Sequence, residues 1–448
     1  MRYYWIKRLS ALGVFLLLIS CLDNNTYDYD DWNLSNPQIS TFSLSNDSIK
    51  GLADVKFTID QVNGRIYNVD SMPYGTELRF KLLCSLEFEI GAFAIAIMPE
   101  ATNDTIVTTT DSIDYSKPVI IKVTAYDGVT TKEYDTRLNI HQINPDSMVW
   151  THHAALLQGK ESNEVKALKF KDNYLMYIND GTDYSLYTVD TLHYTNQWTQ
   201  TPLTDFPSGA DISQITEYAD YLYVATYAGL LYRSSDGKLW QQAAGAPEMK
   251  TLIGVLPAST TNAKTSLAGV AYFDYALKFV SMDEAGVWTT GNAVPETFPL
   301  SGFGAANYEL MYYGRLVIAG GRDINGNLTD EVWSTTNSLL WAPISNPAAT
   351  FSPREYTSLS IYDGKLYLQG GIGENNTPLK DLYYTEDNGV TWKLYDYPFP
   401  DDFPAGGFSS VIVTHDNYML LFGGKADLNS KVPDEIWQGR INRLGFNK

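Results

Sequence analysis

Apolar and polar side chains alternate along much of this chain, with the period of two that is typical of β-strands with one buried face. Residues 36–145 show this pattern first, and their alternating apolar positions include Phe42, Leu44, Val55, Phe57, Ile59, Ile66 and Val69. Asn63-Gly64 and Asp127-Gly128 are dipeptides typical of tight hairpin turns. About seven short strands in a unit of this size predict an N-terminal β-sandwich of the immunoglobulin type.

A second pattern begins at residue 148 and repeats to the end of the chain. Each repeat contains several short apolar strands and ends at a tryptophan; these anchors are Trp150, Trp198, Trp240, Trp288, Trp341 and Trp392. They are separated by 48, 42, 48, 53 and 51 residues, and a nearly regular period of that length indicates a repeated supersecondary unit. The pattern predicts a β-propeller over residues 148–448 with one tryptophan in each blade.

The two ends of this region predict how the ring closes. Trp437 would place the next anchor near residue 445, where there is no tryptophan, and Trp150 has no earlier strands of its own blade. We therefore expect the Trp150 strand to complete the blade begun by residues 408–441, because closure removes two exposed sheet edges. The predicted fold is all-β with six blades. Five or seven blades are alternatives because the repeat over residues 251–300 is irregular.

Three of the later repeats share a double glycine at the end of their second strand. The segments are Ala319-Gly320-Gly321, Gln369-Gly370-Gly371 and Phe422-Gly423-Gly424. Trp333, Tyr384 and Trp437 follow at the position of a third strand, and Pro353-Arg354 precedes one repeat. This arrangement resembles Kelch repeats, although the three earlier repeats lack the double glycine. The resemblance implies a Kelch-like propeller in which the loops on one face bind partners or substrates.

The segment before Trp392 resembles a second propeller motif. Thr385-Glu386-Asp387-Asn388-Gly389-Val390-Thr391-Trp392 is similar to the Asp-box hairpin of sialidase-like propellers, and Ser235–Trp240 and Asp283–Trp288 are looser versions. In such a turn, Asp and Asn accept backbone hydrogen bonds, and glycine provides a positive φ without steric cost. We interpret these hairpins as structural and not as a source of catalytic aspartates.

The first twenty residues have the features of a targeting segment. Arg2, Lys7 and Arg8 precede an apolar run from Leu12 to Ile19, which is too short to span a bilayer. Leu18-Ile19-Ser20-Cys21 then resembles a bacterial lipobox. The resemblance implies a signal peptide over 1–20, lipidation of Cys21 and an acylated tether over 21–35. A secretory peptide with an incidental cysteine is the alternative.

This leader places the protein in the cell envelope. We expect a lipid anchor in the outer membrane, with the protein facing the periplasm or the cell surface, and no other membrane contact. The layout resembles cell-envelope lipoproteins of the Bacteroides type. If Cys21 carries lipid, Cys84 is the one cysteine left among the 448 residues, so no disulfide can form within the chain.

Charge and histidine spacing limit the ligands that the chain is expected to bind. The formal net charge of −20 disfavours nucleic acid, because that binding depends on lysine and arginine neutralising phosphate. The five histidines form neither a His-x-His nor a His-Glu-x-x-His motif. We therefore predict no metal site and no cofactor. The expected partners are a glycan or an envelope protein.

The candidate binding residues lie in the loops that face the predicted propeller mouth. Arginine recognises carboxylates through planar, bidentate hydrogen bonds, so Arg322 and Arg354 are the first candidates. The remaining candidates are Asp323, Glu374, Lys425 and Asp427. No residue is predicted to be catalytic. The Arg-Ile-Pro segment typical of sialidases is absent, and the absence of cysteine after Cys84 excludes galactose-oxidase-like copper chemistry.

The resulting hypothesis is a non-catalytic envelope lipoprotein that binds a glycan or protein ligand at the propeller mouth. The alternative is a carbohydrate-active enzyme, either a glycosidase or a sugar epimerase, that uses the same funnel. This alternative predicts at least two carboxylates and an arginine that converge in the funnel. An assembly scaffold is a third hypothesis, and it predicts a large apolar patch on the propeller rim or the sandwich.

Overall fold

The computed structural model describes residues 34–445 except 79–80, 101–102, 155, 261–263, 311, 397–398 and 426. The predicted signal peptide, Cys21 and nearly all of the tether lie outside the described residues. The chain divides into two compact units at Asn144 and Pro145. Within the described ranges no helix has the length and hydropathy of a membrane span. Strands form nearly all of the regular structure, which confirms the prediction of an all-β chain.

The first unit contains two sheets. One has three strands in the order β1 (Ile39–Ser45), β4 (Leu82–Phe88) and β7 (Ser112–Ile113). The other has six strands in the order β2 (Phe57–Asp60), β3 (Arg65–Asn68), β9 (Thr131–Arg137), β8 (Val119–Thr124), β5 (Phe93–Met98) and β6 (Thr105–Thr108). Only β3 and β9 pair in parallel among these strands, and a short 3-10 turn covers Leu52–Asp54.

Both sheets of the first unit contribute to one hydrophobic cluster. Ile39 and Leu82 enter it from the three-stranded sheet, and Ile66, Ile121 and Val123 enter it from the six-stranded sheet. The alternation along β8 places Val119, Ile121 and Val123 on the same buried face. This shared cluster is the core of the unit. Cys84 is half-buried beside it, and burial raises the pKa of its thiol to about 12, which makes the thiol a poor nucleophile.

The second unit contains six four-stranded antiparallel sheets among its described residues. Sheet 1 contains β11 (Glu164–Phe170), β12 (Asn173–Asn179), β13 (Tyr184–Asp190) and β14 (Thr199–Thr201). Sheet 2 contains β15 (Thr216–Tyr218), β16 (Tyr221–Ala225), β17 (Leu231–Ser234) and β18 (Gln241–Gln242). Sheet 3 contains β19 (Met249–Leu256), β20 (Ser266–Phe273), β21 (Ala276–Met282) and β22 (Trp288–Ala293).

The later sheets continue the same order along the chain. Sheet 4 contains β23 (Gly304–Glu309), β24 (Gly314–Ala319), β25 (Val332–Thr335) and β26 (Ala342–Pro343). Sheet 5 contains β27 (Ser358–Tyr362), β28 (Lys365–Gln369), β29 (Leu382–Thr385) and β30 (Lys393–Leu394). Sheet 6 contains β31 (Ser410–Val413), β32 (Met419–Phe422), β33 (Glu435–Ile441) and β10 (Met148–Ala154). Short 3-10 turns cover Ile212–Gln214, Glu374–Asn376 and Asn442–Gly445.

Sheet 6 joins the two ends of the second unit. Strand β10, which carries Trp150, pairs antiparallel with β33 over its whole length, from Met148 opposite Ile441 to Ala154 opposite Glu435. Trp150 lies opposite Gly439. A Cβ atom at Gly439 would lie 2.5 Å from the Trp150 ring, so the indole occupies the space that any other residue would need.

This close approach predicts that Gly439→Ala weakens the junction between the two chain ends. We expect the free energy of unfolding to fall by about 1–3 kcal/mol, as is typical when a methyl group is forced into a packed contact. Chemical denaturation of the full chain measures the change. Gly364→Ala is the control for adding a methyl group, because nothing lies within 4 Å of its Cβ position; its φ of 70° adds a strain of its own, about 1 kcal/mol. A cost at Gly439 no larger than that at Gly364 would contradict the packing argument.

Four of the anchor tryptophans are buried between neighbouring sheets. Trp240 packs on Tyr177 of sheet 1 with ring centroids 5.9 Å apart, and Trp198 packs on Phe422 of sheet 6 at 5.6 Å. Trp341 lies 6.0 Å from Phe279 of sheet 3, and Trp392 joins the cluster that sheet 4 shares with sheet 5. The tryptophans therefore stabilise contacts between sheets. Trp150 and Trp288 are only half-buried.

Three of these indoles also bind the tight turn that precedes them. The Nε1 atoms of Trp240, Trp341 and Trp392 donate to the carbonyl oxygens of Gly237, Ser338 and Gly389, respectively. Side-chain oxygens of Asp236, Asn337 and Asp387 accept backbone N–H bonds in the same turns. The Thr335–Trp341 turn has this arrangement without a glycine, so a search for Gly before Trp overlooks it.

Candidate functional site

The first strands of the six sheets surround one channel in the second unit. Its volume is about 590 Å³, and its lining comes from β11, β15, β19, β23, β27 and β31 together with the residues just before several of them. Neighbouring first strands contact each other in ring order from β15 through β31 to β11, and β11 contacts the 3-10 turn Ile212–Gln214 that precedes β15. The volume lies within the range of small-molecule sites in proteins, which is about 300–1,000 Å³. The channel is therefore the best-formed candidate site among the described residues.

An aromatic pair marks one end of the channel. Tyr356 and Phe408 precede the first strands of sheets 5 and 6, and their rings stack with centroids 3.7 Å apart and an interplanar angle of 20°. The backbone N–H of Phe408 donates to the carbonyl of Tyr356, and the N–H of Tyr356 donates to the carbonyl of Gly302. These bonds show that the three residues occupy the same position in successive sheets. We call this end, with Glu164, Asp211 and Tyr227, the channel mouth.

The backbone of the aromatic pair is strained. Gly302, Tyr356 and Phe408 have φ values of 66°, 51° and 60°, which lie in the left-handed region. Glycine adopts this region freely, whereas an aromatic residue there is a genuine outlier. Such strain persists where the surrounding structure enforces it, and it is concentrated at functional sites. The two rings are thus held at the mouth in a conformation that the chain alone disfavours.

Two carboxyl groups lie at the mouth on neighbouring sheets. Burial raises the pKa of Glu164, and the charge of Asp211 raises it further. Burial also raises the pKa of Asp211, although that carboxylate accepts hydrogen bonds from Ser213 and Gln214. The phenol of Tyr227 is 74% exposed and interacts electrostatically with both carboxylates. The mouth therefore combines hydrogen-bond acceptors with accessible aromatic surface.

A lysine lies deeper in the channel on the same strand as Glu164. Glu164 and Lys166 are two residues apart on β11, so their side chains point to the same face of the strand. The ammonium of Lys166 donates to the carbonyl of Ser213 at 2.9 Å. Lys166 is half-buried, and its partial loss of solvation in the channel wall lowers its pKa to about 8, while the nearby charge of Asp211 limits the decrease. This arrangement places an amine with a low pKa in the channel wall.

Arg354 is paired within the chain. Its side chain has no exposed surface, and its guanidinium pairs with Asp381 through bonds of 2.5 and 3.0 Å. Further bonds go to Gly370 and Ser352, and the guanidinium lies 5.4 Å from the centroid of the Phe351 ring. The contact of Arg354 with a ligand stays a prediction, and in this structure its hydrogen-bonding groups hold sheet 5 together.

Arg322 is also paired within the chain. Its guanidinium binds the buried carboxylate of Glu355 in a bidentate manner, with distances of 2.8 and 2.5 Å, and donates to the carbonyl of Gly326. The hydrogen bond to Glu355 raises the pKa of Arg322. About a third of the Arg322 side chain stays exposed, near Tyr356. The carboxylate that this arginine was expected to recognise is therefore supplied by the protein itself.

The structure brings one of the other four candidates to the mouth. Lys425 is buried, its ammonium lies 4.3 Å from the Phe408 ring centroid, and burial lowers its pKa while the charge of Glu164 opposes the shift. Asp323 and Asp427 accept backbone bonds within their own loops. Glu374 is exposed in the 3-10 turn of sheet 5. These three are not among the residues that line the channel.

The residues that form the channel mouth are not among those predicted from the sequence. They are Glu164, Asp211, Tyr227, Tyr356 and Phe408, and Lys166 lies deeper in the same channel. A usable signal was present, because Glu164 and Lys166 interrupt the apolar pattern of a first strand. Tyr356 also comes two residues after Pro353-Arg354, the pair that precedes one repeat. Among the residues that the structure describes, no group of three or more His, Cys, Asp or Glu side chains could hold a metal ion.

Comparison with known proteins identifies the family. A search of the curated proteins finds no match to this chain. A solved structure titled "Structure of YjhT" is 15% identical and covers 62% of this chain and 95% of its own, with a TM-score of 0.44. The family profile of the DUF6242 beta propeller domain matches residues 144–448, and that of the DUF6242 N-terminal domain matches residues 33–138. With its ring of four-stranded sheets, this chain is a β-propeller protein, as predicted, and belongs to the DUF6242 family.

Proposed function

We propose that the propeller binds a glycan at the channel mouth. The observation that carries this proposal is the strained, stacked pair of Tyr356 and Phe408 beside the carboxyl groups of Glu164 and Asp211. A sugar ring has apolar C–H faces that pack on aromatic rings and hydroxyl groups that need donors and acceptors. Aromatic surface with a few well-placed polar groups satisfies both requirements. A protein ligand at the same mouth remains an outcome of the test.

The charges favour a neutral glycan over an acidic one. Arg322 and Arg354 are already paired with Glu355 and Asp381, so no free guanidinium among the described mouth residues is available for a ligand carboxylate. The carboxylates of Glu164 and Asp211 would repel an anion at close range. Lys166 and Lys425 offset these charges without leaving an excess of positive charge.

Tyr227 supplies the sharpest test, because its exposed ring can be removed with little loss of packing. We expect Tyr227→Ala to weaken glycan binding about tenfold, since one aromatic contact contributes on the order of 1 kcal/mol beyond its buried area. A glycan array selects the ligand, and calorimetry then measures the affinity. Tyr275→Ala is the matched control, because Tyr275 is fully exposed in the same unit and lies outside the channel lining.

Two results would contradict the proposal. One is the absence of any glycan that binds the full chain. The other is equal loss of affinity in the Tyr227 and Tyr275 variants, which would place the binding surface elsewhere. If the chain binds an envelope protein and Tyr227→Ala weakens that binding, the mouth is still the binding site, but its ligand is a protein and not a glycan.

A carbohydrate-active enzyme is the second candidate, and one observation favours it. Glu164 and Asp211 line the same channel, and burial raises the pKa of both carboxyl groups. Glycoside hydrolysis uses two carboxyl groups, one of which must be protonated to act as an acid. The glycans that bind can be incubated with the protein and analysed by chromatography. If the wild-type protein forms products and Glu164→Gln does not, the protein is an enzyme and the proposal of non-catalytic binding is wrong. If the glycans stay unchanged, the protein does not hydrolyse the glycans that were tested.

We also propose the finer architecture of the propeller. Six four-stranded sheets and the pairing of β10 with β33 support six blades closed by the Trp150 strand. The double glycines at 320–321, 370–371 and 423–424 all have positive φ, which supports Kelch-like blades. The turns before Trp240 and Trp392 support the name Asp-box for these hairpins.

The N-terminal part is proposed to be an immunoglobulin-like sandwich over 36–145 on an acylated tether over 21–35. Its two sheets and shared core support the sandwich. The lipobox-like segment that ends at Cys21 supports removal of residues 1–20, lipidation and a place in the outer membrane of the cell envelope. Mass spectrometry of the mature N-terminus tests this, and an N-terminus at any other residue would exclude the lipid anchor at Cys21.

A further inference from the structure

Lys166 is a nucleophilic side chain in the wall of the channel that glycan binding leaves without a distinct role. It lies two residues after Glu164 on the same strand face, and its Nζ atom binds only the carbonyl of Ser213 among the hydrogen bonds of the described residues. We propose that Lys166 forms a reversible imine with an aldehyde, such as the open-chain reducing end of a sugar that enters the channel. The inference rests on the proposed function and narrows its ligand class to reducing sugars.

The protonation state of Lys166 supports this chemistry. An amine attacks a carbonyl group only when it is neutral. With a pKa of about 8, roughly a quarter of the Lys166 side chains are neutral at pH 7.5, whereas an ordinary lysine at 10.5 is neutral in about one molecule in a thousand. Burial in an apolar or poorly hydrated site is a recognised way to activate lysine for imine formation.

The bond changes balance without any additional reagent. The lone pair of Nζ attacks the carbonyl carbon, a proton moves from nitrogen to oxygen, and a carbinolamine forms. Loss of water then gives the carbon–nitrogen double bond, and addition of water reverses the sequence. The leaving hydroxyl needs a proton. Glu164, on the same face of the strand, is placed to supply it, because burial raises its pKa, although the hydrogen bond that Asn179 donates to its carboxylate opposes that shift.

Two other lysines provide internal comparisons. Lys169 lies on the same strand and also lines the channel, but its side chain is exposed to solvent. Lys425 is buried at the mouth, where its ammonium binds the carbonyl of Asn163 and covers the Phe408 ring. Lys166 therefore differs from Lys169 in its surroundings and from Lys425 in its access to the channel.

The test is reductive trapping on the full chain. Glycolaldehyde and sodium cyanoborohydride are added at pH 7.5, and the modified lysines are mapped by peptide mass spectrometry. At pH 7.5 we expect the adduct on Lys166 to form at least ten times faster than that on Lys169, and we expect this ratio of rates to shrink as the pH rises toward the ordinary lysine pKa of 10.5. Lys166→Arg should lose this adduct alone, and Lys169→Arg should keep it.

Several outcomes would overturn the proposal. They are equal rates at Lys166 and Lys169 at pH 7.5, a dominant adduct on Lys425, or a ratio of the Lys166 rate to the Lys169 rate that does not shrink as the pH rises. The wild-type comparison needs no variant, so a folding defect in Lys166→Arg leaves the test intact. Binding of glycosides that lack a reducing end is measured in parallel. Glycan binding without the adduct overturns only the imine, and the glycolaldehyde adduct without binding of any glycan, reducing or not, overturns only the glycan proposal.

Discussion

Replacing Arg354 with methionine is expected to lower the free energy of unfolding by about 3–5 kcal/mol. The substitution keeps much of the side-chain volume but leaves the carboxylate of Asp381 and the carbonyl of Gly370 without their fully buried partner. A buried charge that loses its partner is among the most costly changes in a protein. Chemical denaturation of the full chain, with the midpoint and slope both fitted, measures the effect.

Two further variants identify the cause of this loss. Lys393→Met removes an exposed ion pair with Glu386 in the same sheet and should change stability far less. The double variant Arg354→Met with Asp381→Leu removes both charges and should recover part of the loss, because no unpaired carboxylate remains. If Arg354→Met changes the free energy of unfolding only slightly and abolishes glycan binding, Arg354 is a ligand residue and its structural role is refuted.

The repeat of this fold is readable from the sequence because each anchor tryptophan performs a local task. Trp240 and Trp392 bind the turn that precedes them and then fill the space next to the neighbouring sheet. Both tasks depend on residues a few positions away or on a neighbouring repeat. Spacing alone therefore predicted repeated sheets. The Thr335–Trp341 turn shows the limit, because serine takes a positive φ of 63° where the motif predicts glycine.

The candidate site was harder to predict because its residues are defined by partners far away in the sequence. The sequence around a loop arginine does not show whether its guanidinium is free or paired. Arg322 pairs with a residue 33 positions later, and Arg354 pairs with one 27 positions later. The mouth residues come from four different sheets, since Glu164 and Asp211 lie near Tyr356 only after the ring has formed. Sequence patterns predict which segments are loops. The arrangement of the six sheets around the channel determines which loop positions face it.

The strained aromatic pair gives the prediction that best separates binding from stability. Phe408→Gly removes the ring but fits the φ of 60°, and an L residue in the left-handed region costs about 1–2 kcal/mol. This relief offsets most of the lost stacking and burial, so we expect the free energy of unfolding to stay within about 1 kcal/mol of the wild-type value. Glycan affinity should nevertheless fall about tenfold or more, because one of the two stacked rings is gone.

Tyr275→Gly measures the relief of strain on its own. Tyr275 has a φ of 66° and a fully exposed ring, so the variant loses no packing and should be stabilised by up to about 1 kcal/mol. Phe408→Tyr retains a ring and should bind the glycan with nearly wild-type affinity. Calorimetry and denaturation on the four proteins complete the comparison. If Phe408→Gly bound the glycan normally and lost several kcal/mol of stability, the aromatic pair would serve as core packing. A ring that is held under strain in order to bind a ligand must weaken binding when it is removed.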